Sequence, residues 1–415
     1  MNQYLRITLI FLLALGLRVG WAAFGGLYEP GLISDTSSAQ AHEIAVSLSK
    51  GQGFQLGGKK TAQCPPVYPS FLAAIYYLVG VNIWFAKLAQ ALIGALTCLL
   101  IYFLAVDLYT LKVGNWAMFI CAIFPGFIVN SALLNEATLF QFVTMVLMFY
   151  LTRLQEDFSP MRLLLCGLVL GITVLTSSIM VFLPVFLFFW YLAFHSERVM
   201  GIAIAMVMGL CMLLVILPWV TRNYLQLDSF VPLSSESGIA LYGGNNEKVN
   251  QSFYTRGGWL KPEVKMRGLN ESEVNLRYWR LTLDYWRDKP FESLAALPFK
   301  FFRFWSPWPA GKPLVYQILS LLSFAPVLAL FLYYLSSSKA KEHDSLLPIF
   351  GLICYLTMLS LIVYGSERFR FPIEPLLIIL ATKSLIKEKL ASTYPTRQKV
   401  VKNPDLQRIP VITTE

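Results

Sequence analysis

Asp35, in the run Ser34-Asp35-Thr36, stands shortly beyond the first apolar stretch of the chain. A carboxylate held there can act as a general base, or it can cap the amphipathic stretch that follows to Lys50 by accepting from free helix N–H groups. Basic side chains come from three distant parts of the sequence: Lys59 and Lys60, Arg222 after Pro218-Trp219, and Arg368 with Arg370. Grouped on one face they would stabilise an anion as its charge develops. Taken singly, each also reads as an interfacial anchor or a screened surface charge. Glu136, beside Asn135 at the start of an apolar run, is a second acid, or a stabiliser of a helix N-terminus. His42, His195 and His343 lack metal-ligand spacing, and there is no CxxC pair or Cys/His cluster. No metal is therefore expected. No Gly-rich nucleotide fingerprint follows a strand.

The elements that must carry these groups are membrane helices. Of 415 residues, 56% are hydrophobic and 14% charged, against about a quarter charged in a soluble domain. Charge is missing from runs such as Leu88–Val106, Leu139–Leu151, Ile202–Val220, Leu314–Leu335 and Leu346–Tyr364. A crossing needs roughly 20 apolar residues for about 30 Å of hydrocarbon. The net charge of +10 is concentrated at span ends and in the tail, which argues against nucleic-acid binding and for the positive-inside rule. Five of six cysteines lie within apolar runs as small hydrophobes.

Placing Lys112, Arg153, Arg162, Arg198 and the basic tail inside requires that the stretch 66–81 not cross. It is expected to be an interfacial or re-entrant helix. The resulting fold class is an all-α integral membrane protein. About ten transmembrane helices (nine to twelve) are expected from the span-length requirement, with interfacial helices in two outer loops. The organisation reads as a membrane module over 1–220 that includes an outer loop at 25–82. An extracytoplasmic segment over 221–313, membrane helices over 314–390 and a polar cytoplasmic tail over 391–415 follow. In the second outer segment, Asn270-Glu-Ser-Glu273 predicts a capping box. The Phe/Trp/Pro-rich stretch 291–308, with Lys300 and Arg303, predicts a helix in the headgroup zone.

An ordered set of short motifs joins these pieces. It runs from Asp35 to Gly51-Gln-Gly-Phe54, Pro65-Pro-Val-Tyr-Pro69, Asn135-Glu136 and GLVLGITVLT (167–176). It ends with Pro218-Trp-Val-Thr-Arg-Asn-Tyr224, GIALYGGNN (238–246) and Glu367-Arg-Phe-Arg-Phe-Pro372. In this order the chain resembles the GT-C glycosyltransferases, especially the branch of protein O-mannosyltransferases and the lipid A aminoarabinose transferase. The resemblance implies inverting transfer of a sugar from a polyprenyl-phosphate carrier to a glycan, lipid or protein acceptor at the extracytoplasmic face of the inner membrane. It assigns the base to Asp35. Phosphate-binding charge falls on Lys59 or Lys60 and on Arg368, with Arg222 and Arg370 as further donor-binding cations and Glu136 as an acceptor-side acid. A lipid phosphate leaves as a stable anion, so one base and several cations suffice where a glycosidase needs two carboxylates. No cofactor is indicated, although some distant relatives use a divalent cation. Two departures stand out: Ser177-Ser178 replaces an Arg-Pro of many relatives, and Asp35-Thr36 replaces an Asp-Glu pair. They leave open a non-catalytic subunit of an envelope-glycan complex, alongside a flippase or transporter of lipid-linked sugars.

Overall fold

The computed structural model describes residues 2–28, 36–195, 197–264, 268–337 and 344–386. Asp35, His343 and the tail over 391–415 lie outside the described residues. The chain begins with α1 (Gln3–Tyr28) and α2 (Thr36–Ser49), then a hairpin of β1 (Gln55–Leu56) and β2 (Lys59–Lys60). Helices α3 (Val67–Val79), α4 (Ile83–Leu108), α5 (Leu111–Ile123), α6 (Pro125–Ala132), α7 (Ala137–Glu156), α8 (Pro160–Thr176), α9 (Leu183–Phe194) and α10 (Arg198–Leu227) follow. Then come α11 (Ser237–Gly243), α12 (Glu247–Gln251), α13 (Glu271–Asp288), α14 (Pro290–Ala295) and α15 (Leu297–Trp305). The chain closes with α16 (Leu314–Ser336), α17 (Leu347–Ile362), α18 (Glu367–Arg370) and α19 (Glu374–Leu385).

Among the described residues, five helices (α1, α4, α7, α10 and α16) are long and apolar enough to span a bilayer. Helices α5 and α6 together make a sixth apolar run, bent by 51°. The expected total of about ten is reached only by adding α8, α9, α17 and α19. Each of these is 12 to 17 residues long and short of a full crossing by itself. Helix α3 has 13 residues, a rise of about 20 Å. Like α9 and α19, which are one residue shorter, it is short of a full crossing by itself.

Two sequence features explain the packing. In GLVLG, glycines at i and i+4 bring α8 against α10. A Cβ at Gly167 would sit 2.4 Å from Cys211 Cβ, and one at Gly171 would sit 2.5 Å from Val215 Cβ. This is the small-xxx-small rule of membrane helices. The second feature is the bend at Phe124-Pro125. Pro125 has no N–H to return to Cys121, so the last carbonyls of α5 lose their helical donors. Arg18 of α1, 1% exposed, donates to Cys121 O (3.3 Å), Ala122 O (3.2 Å) and Ala14 O (2.9 Å). Its Nε stays unpartnered, pressed toward Gly94. A buried guanidinium is tolerated here because backbone acceptors surround it.

Candidate active site

The β1–β2 hairpin and the residues that flank it are held in place from both sides. Gly57 (φ +58°) and Gly58 (φ +72°) form the turn between β1 and β2, since two consecutive left-handed residues suit a two-residue hairpin loop. Lys59 and Lys60, on β2, are exposed. Arg222, near the end of α10, donates to Thr61 O (2.6 Å) and Phe54 O (2.9 Å), with its guanidinium over the Phe54 and Trp219 rings. Arg222 therefore staples the hairpin base to α10. From the other side Glu271, in the first turn of α13, accepts from Thr61 Oγ1 and from Ala62 N–H, both at 2.7 Å. Sequence reasoning saw Glu271 only inside the capping box. That box is present, with Asn270 and Glu273 exchanging bonds. The clamp role has no local signal, because Glu271 finds its partners about two hundred residues upstream.

Glu136 precedes α7 but makes no capping bond. It meets Arg368 of α18, with Nη2 at 2.5 Å from Oε1. The Arg368 side chain is half exposed and Glu136 mostly covered, so the guanidinium can face a ligand from a fixed position. Arg370, two residues on, does not share that face. It is buried, paired with Glu374 at 2.9 Å, and donates to Phe304 O (2.6 Å) and Ser306 O (2.9 Å). Its guanidinium lies 3.5 Å over the Phe324 ring. Arg370 joins α15, α16 and α19 inside the fold and does not stand with Arg368 as an open cation.

The GIALYGGNN run has a mechanical role. Asn245 donates to Leu241 O, Ile362 O and Val363 O, while its Oδ1 accepts from Trp286 Nε1 and from Lys300 Nζ at 2.7 Å. Gly243 and Gly244 let this turn approach Trp259 and the Val363 carbonyl, where a Cβ would sit 2.0 and 2.2 Å from its neighbours. Lys300, expected as an interfacial cation on α15, is instead buried against Asn245 and Ile362 O. Burial pulls its pKa from 10.5 down to about 7, because the charged form is desolvated without an opposing carboxylate. The sign follows directly. Between about pH 7 and pH 10.5 the unfolded chain holds a proton that the folded chain lacks, so stability rises with pH across that window. We expect the Tm to rise from pH 7 to pH 10 and this slope to shrink in Lys300→Met. Equal slopes in both proteins would remove Lys300 as its source.

These contacts form one continuous path. Glu136 holds Arg368, whose loop is gripped at Ile362 and Val363 by Asn245. Asn245 is tied through Trp286 to α13, and α13 through Glu271 to Thr61-Ala62, where Arg222 also binds. The start of α7, the end of α10, the β1–β2 hairpin, the α11–α15 segment and the loop that carries α18 therefore meet at one end of the bundle. No group of three or more His, Cys, Asp or Glu side chains able to hold a metal occurs among the described residues.

Residues 63–221 match the dolichyl-phosphate-mannose-protein mannosyltransferase family. No curated protein matches the chain by sequence. In fold the chain is similar to ArnT from Cupriavidus metallidurans in the apo state, with a TM-score of 0.54 and 14% identity over 85% of this chain and 55% of that one. It is similar also to the archaeal oligosaccharyltransferase AglB from Archaeoglobus fulgidus, in a complex with an inhibitory peptide and a dolichol-phosphate. There the TM-score is 0.55 and the identity 14%, over 92% of this chain and 50% of that one. The chain thus spans about half the length of each of these structures.

Proposed function

We propose that this chain, similar to the GT-C glycosyltransferases in its family match over residues 63–221 and in fold, transfers a sugar from a polyprenyl-phosphate carrier to an acceptor hydroxyl at the extracytoplasmic face of the inner membrane. The observation that carries this reading is the path joining Glu136–Arg368 to the first outer loop at one end of the bundle. In the reaction, Asp35 takes the acceptor proton as the acceptor oxygen bonds to the anomeric carbon. The carbon–oxygen bond to phosphate breaks on the opposite side, and the lipid phosphate leaves with the electron pair. A single displacement of this kind inverts the anomeric centre. Arg368 is the cation best placed to meet the growing phosphate charge, with Glu136 fixing its direction. Lys59 and Lys60 add positive potential from the hairpin, and Arg222 holds that hairpin in place.

A flippase would be expected to line its path with ionisable groups in mid-membrane. Here Arg18 is spent on carbonyls, and Asp107 is paired with Arg153 at 2.5 Å. The transfer reading therefore accounts for more of the charged residues.

The test is purified protein in lipid nanodiscs supplied with a panel of lipid-phosphate-linked sugars and hydroxyl acceptors. Glycosylated acceptor is expected in proportion to released lipid phosphate. Movement of labelled lipid-linked sugar across proteoliposomes, with no transfer to any acceptor, would overturn the proposal. Within it, Arg368→Gln is expected to lower turnover about 10- to 100-fold through lost leaving-group stabilisation, with Arg368→Lys intermediate. Unchanged turnover in Arg368→Gln would remove Arg368 from the reaction.

A further inference from the structure

Helix α17 ends at Ile362 and α18 starts at Glu367, so four residues join α17 to the turn that carries Arg368. So short a link has little slack, and its backbone is held at both ends. At one end lie carbonyls that a helix C-terminus leaves without donors. Ile362 O accepts from Asn245 Nδ2 (3.0 Å) and Lys300 Nζ (3.2 Å), and Val363 O from Asn245 Nδ2 (2.9 Å). At the other end Gly365 N–H donates to Gly257 O (2.8 Å), and Ser366 Oγ accepts from Arg368 N–H (3.2 Å). The fit is tight. A Cβ on Gly365 would sit 2.2 Å from Lys300 O.

The Asn245 amide can sit only one way round. Its Oδ1 faces two donors, Trp286 Nε1 (3.1 Å) and Lys300 Nζ (2.7 Å). Its Nδ2 faces three carbonyls, those of Leu241, Ile362 and Val363. Turned over, the amide would set oxygen against acceptors and nitrogen against donors. Asn245 and Lys300 are 3% and 2% exposed, and a buried network that is fully satisfied rigidifies what it touches. What it touches is the root of the Arg368 loop. Arg368 is thus fixed twice, by Glu136 at its side chain and by Asn245 through its backbone.

We propose that Asn245 and Lys300 are positioning residues for the transfer, setting the loop from which Arg368 meets the leaving phosphate. The inference rests on the role given to Arg368 in the proposed function. It also gives turnover an acid limb. As a neutral amine Lys300 has two N–H groups, both used; an ammonium has a third, with no acceptor among the described residues. Helix α17 carries no charged residue. The charged groups of α14, α15 and α18 are engaged elsewhere: Glu292 with Lys289, Arg303 with carbonyls, Glu367 with Lys312, Arg368 with Glu136 and Arg370 with Glu374. Tyr364 packs on Phe369. Lys300 therefore owes its pKa of about 7 to burial alone. Below that pH the charged form is disfavoured where it stands, the grip on Ile362 O loosens, and kcat falls.

The experiment is a double-mutant cycle on kcat in lipid nanodiscs with saturating lipid-linked sugar. It compares wild type, Asn245→Asp, Arg368→Gln and their combination, with hydrogen exchange followed over 362–368. Asn245→Asp keeps the shape and gives Lys300 a carboxylate, but turns an acceptor toward the Ile362 and Val363 carbonyls. Exchange should quicken and kcat fall at least about 10-fold, since a misplacement of about 1 Å can cost about 10²-fold. In the Arg368→Gln background the same change should cost less than about two-fold, the scatter of unconnected sites. Equal losses in both backgrounds, or an unchanged kcat in Asn245→Asp, overturn the inference and leave the proposed function standing. If Asn245→Asp does not fold, Lys300→Met carries the same cycle. Lys300→Met should also lose the acid limb near pH 7; a kcat profile of wild-type shape overturns the part given to Lys300. Wild-type turnover in Arg368→Gln removes Arg368 from the reaction and this inference with it. Wild type that transfers no sugar overturns both readings.

Discussion

Asp35→Asn is expected to lower turnover by about 10²- to 10⁴-fold, the usual worth of a positioned general base, with little change in KM for the lipid donor. The substitution separates the two roles open to this residue. Asparagine caps a helix about as well as aspartate, so α2, which begins at Thr36, should keep its start and the protein its Tm. An amide cannot accept the acceptor proton, so only the chemical step suffers. Asp35→Ala should lose the same activity and in addition about 1 kcal/mol of stability if the side chain caps as well. The check is turnover with a saturating lipid-linked sugar beside a thermal melt of each variant. An Asp35→Asn protein with wild-type turnover would mean that the residue is a cap alone, and the base would have to be sought elsewhere.

The largest loss of stability is expected at Arg370. Arg370→Met should cost about 3–5 kcal/mol, because it strands the Glu374 carboxylate in the interior without its partner. It also frees the carbonyls of Phe304 and Ser306. Against a total of about 5–15 kcal/mol for a typical domain, that is enough to reduce the folded yield sharply. The pair itself need not be favourable. Arg370→Met combined with Glu374→Leu should recover much of the loss, since an apolar replacement of both partners is often neutral or better. Melting temperature and detergent-extracted yield of the two single variants and the double variant test this. If Arg370→Met is as stable as wild type, Arg370 is no structural joint, and its place among donor-binding cations would need to be reconsidered.

The contrast between these two residues shows what the sequence could and could not reveal. The apolar runs, the short helix after Pro65-Pro66 and the capping box at Asn270 rest on local patterns, and those elements were legible. The glycines of GLVLG and GIALYGGNN were visible as a pattern, while their function as close-contact points needed coordinates. The fates of the basic residues were hidden for a common physical reason. Arg18, Arg222, Arg303 and Arg370 all donate to main-chain carbonyls. Every residue has a carbonyl, so no partner type is written in the sequence. Lys300 was hidden in the same way, since Asn245 and Ile362 O receive it across 55 and 62 residues. Arg368 was easier, because its partner Glu136 is an acid at the start of an apolar run. Span number was only partly readable, since several apolar runs fold as helices shorter than the bilayer.

The kink at Pro125 ties the first helix to a later event in synthesis. The carbonyls that satisfy Arg18 lie 103 and 104 residues downstream, so the ribosome delivers the guanidinium long before its acceptors. Until the α5–α6 elbow has entered the bilayer, α1 holds a charge with little to bond beyond its own Ala14 carbonyl. The opening third of the polypeptide thus reaches its resting state as a unit, and the proline that breaks one helix is what settles another.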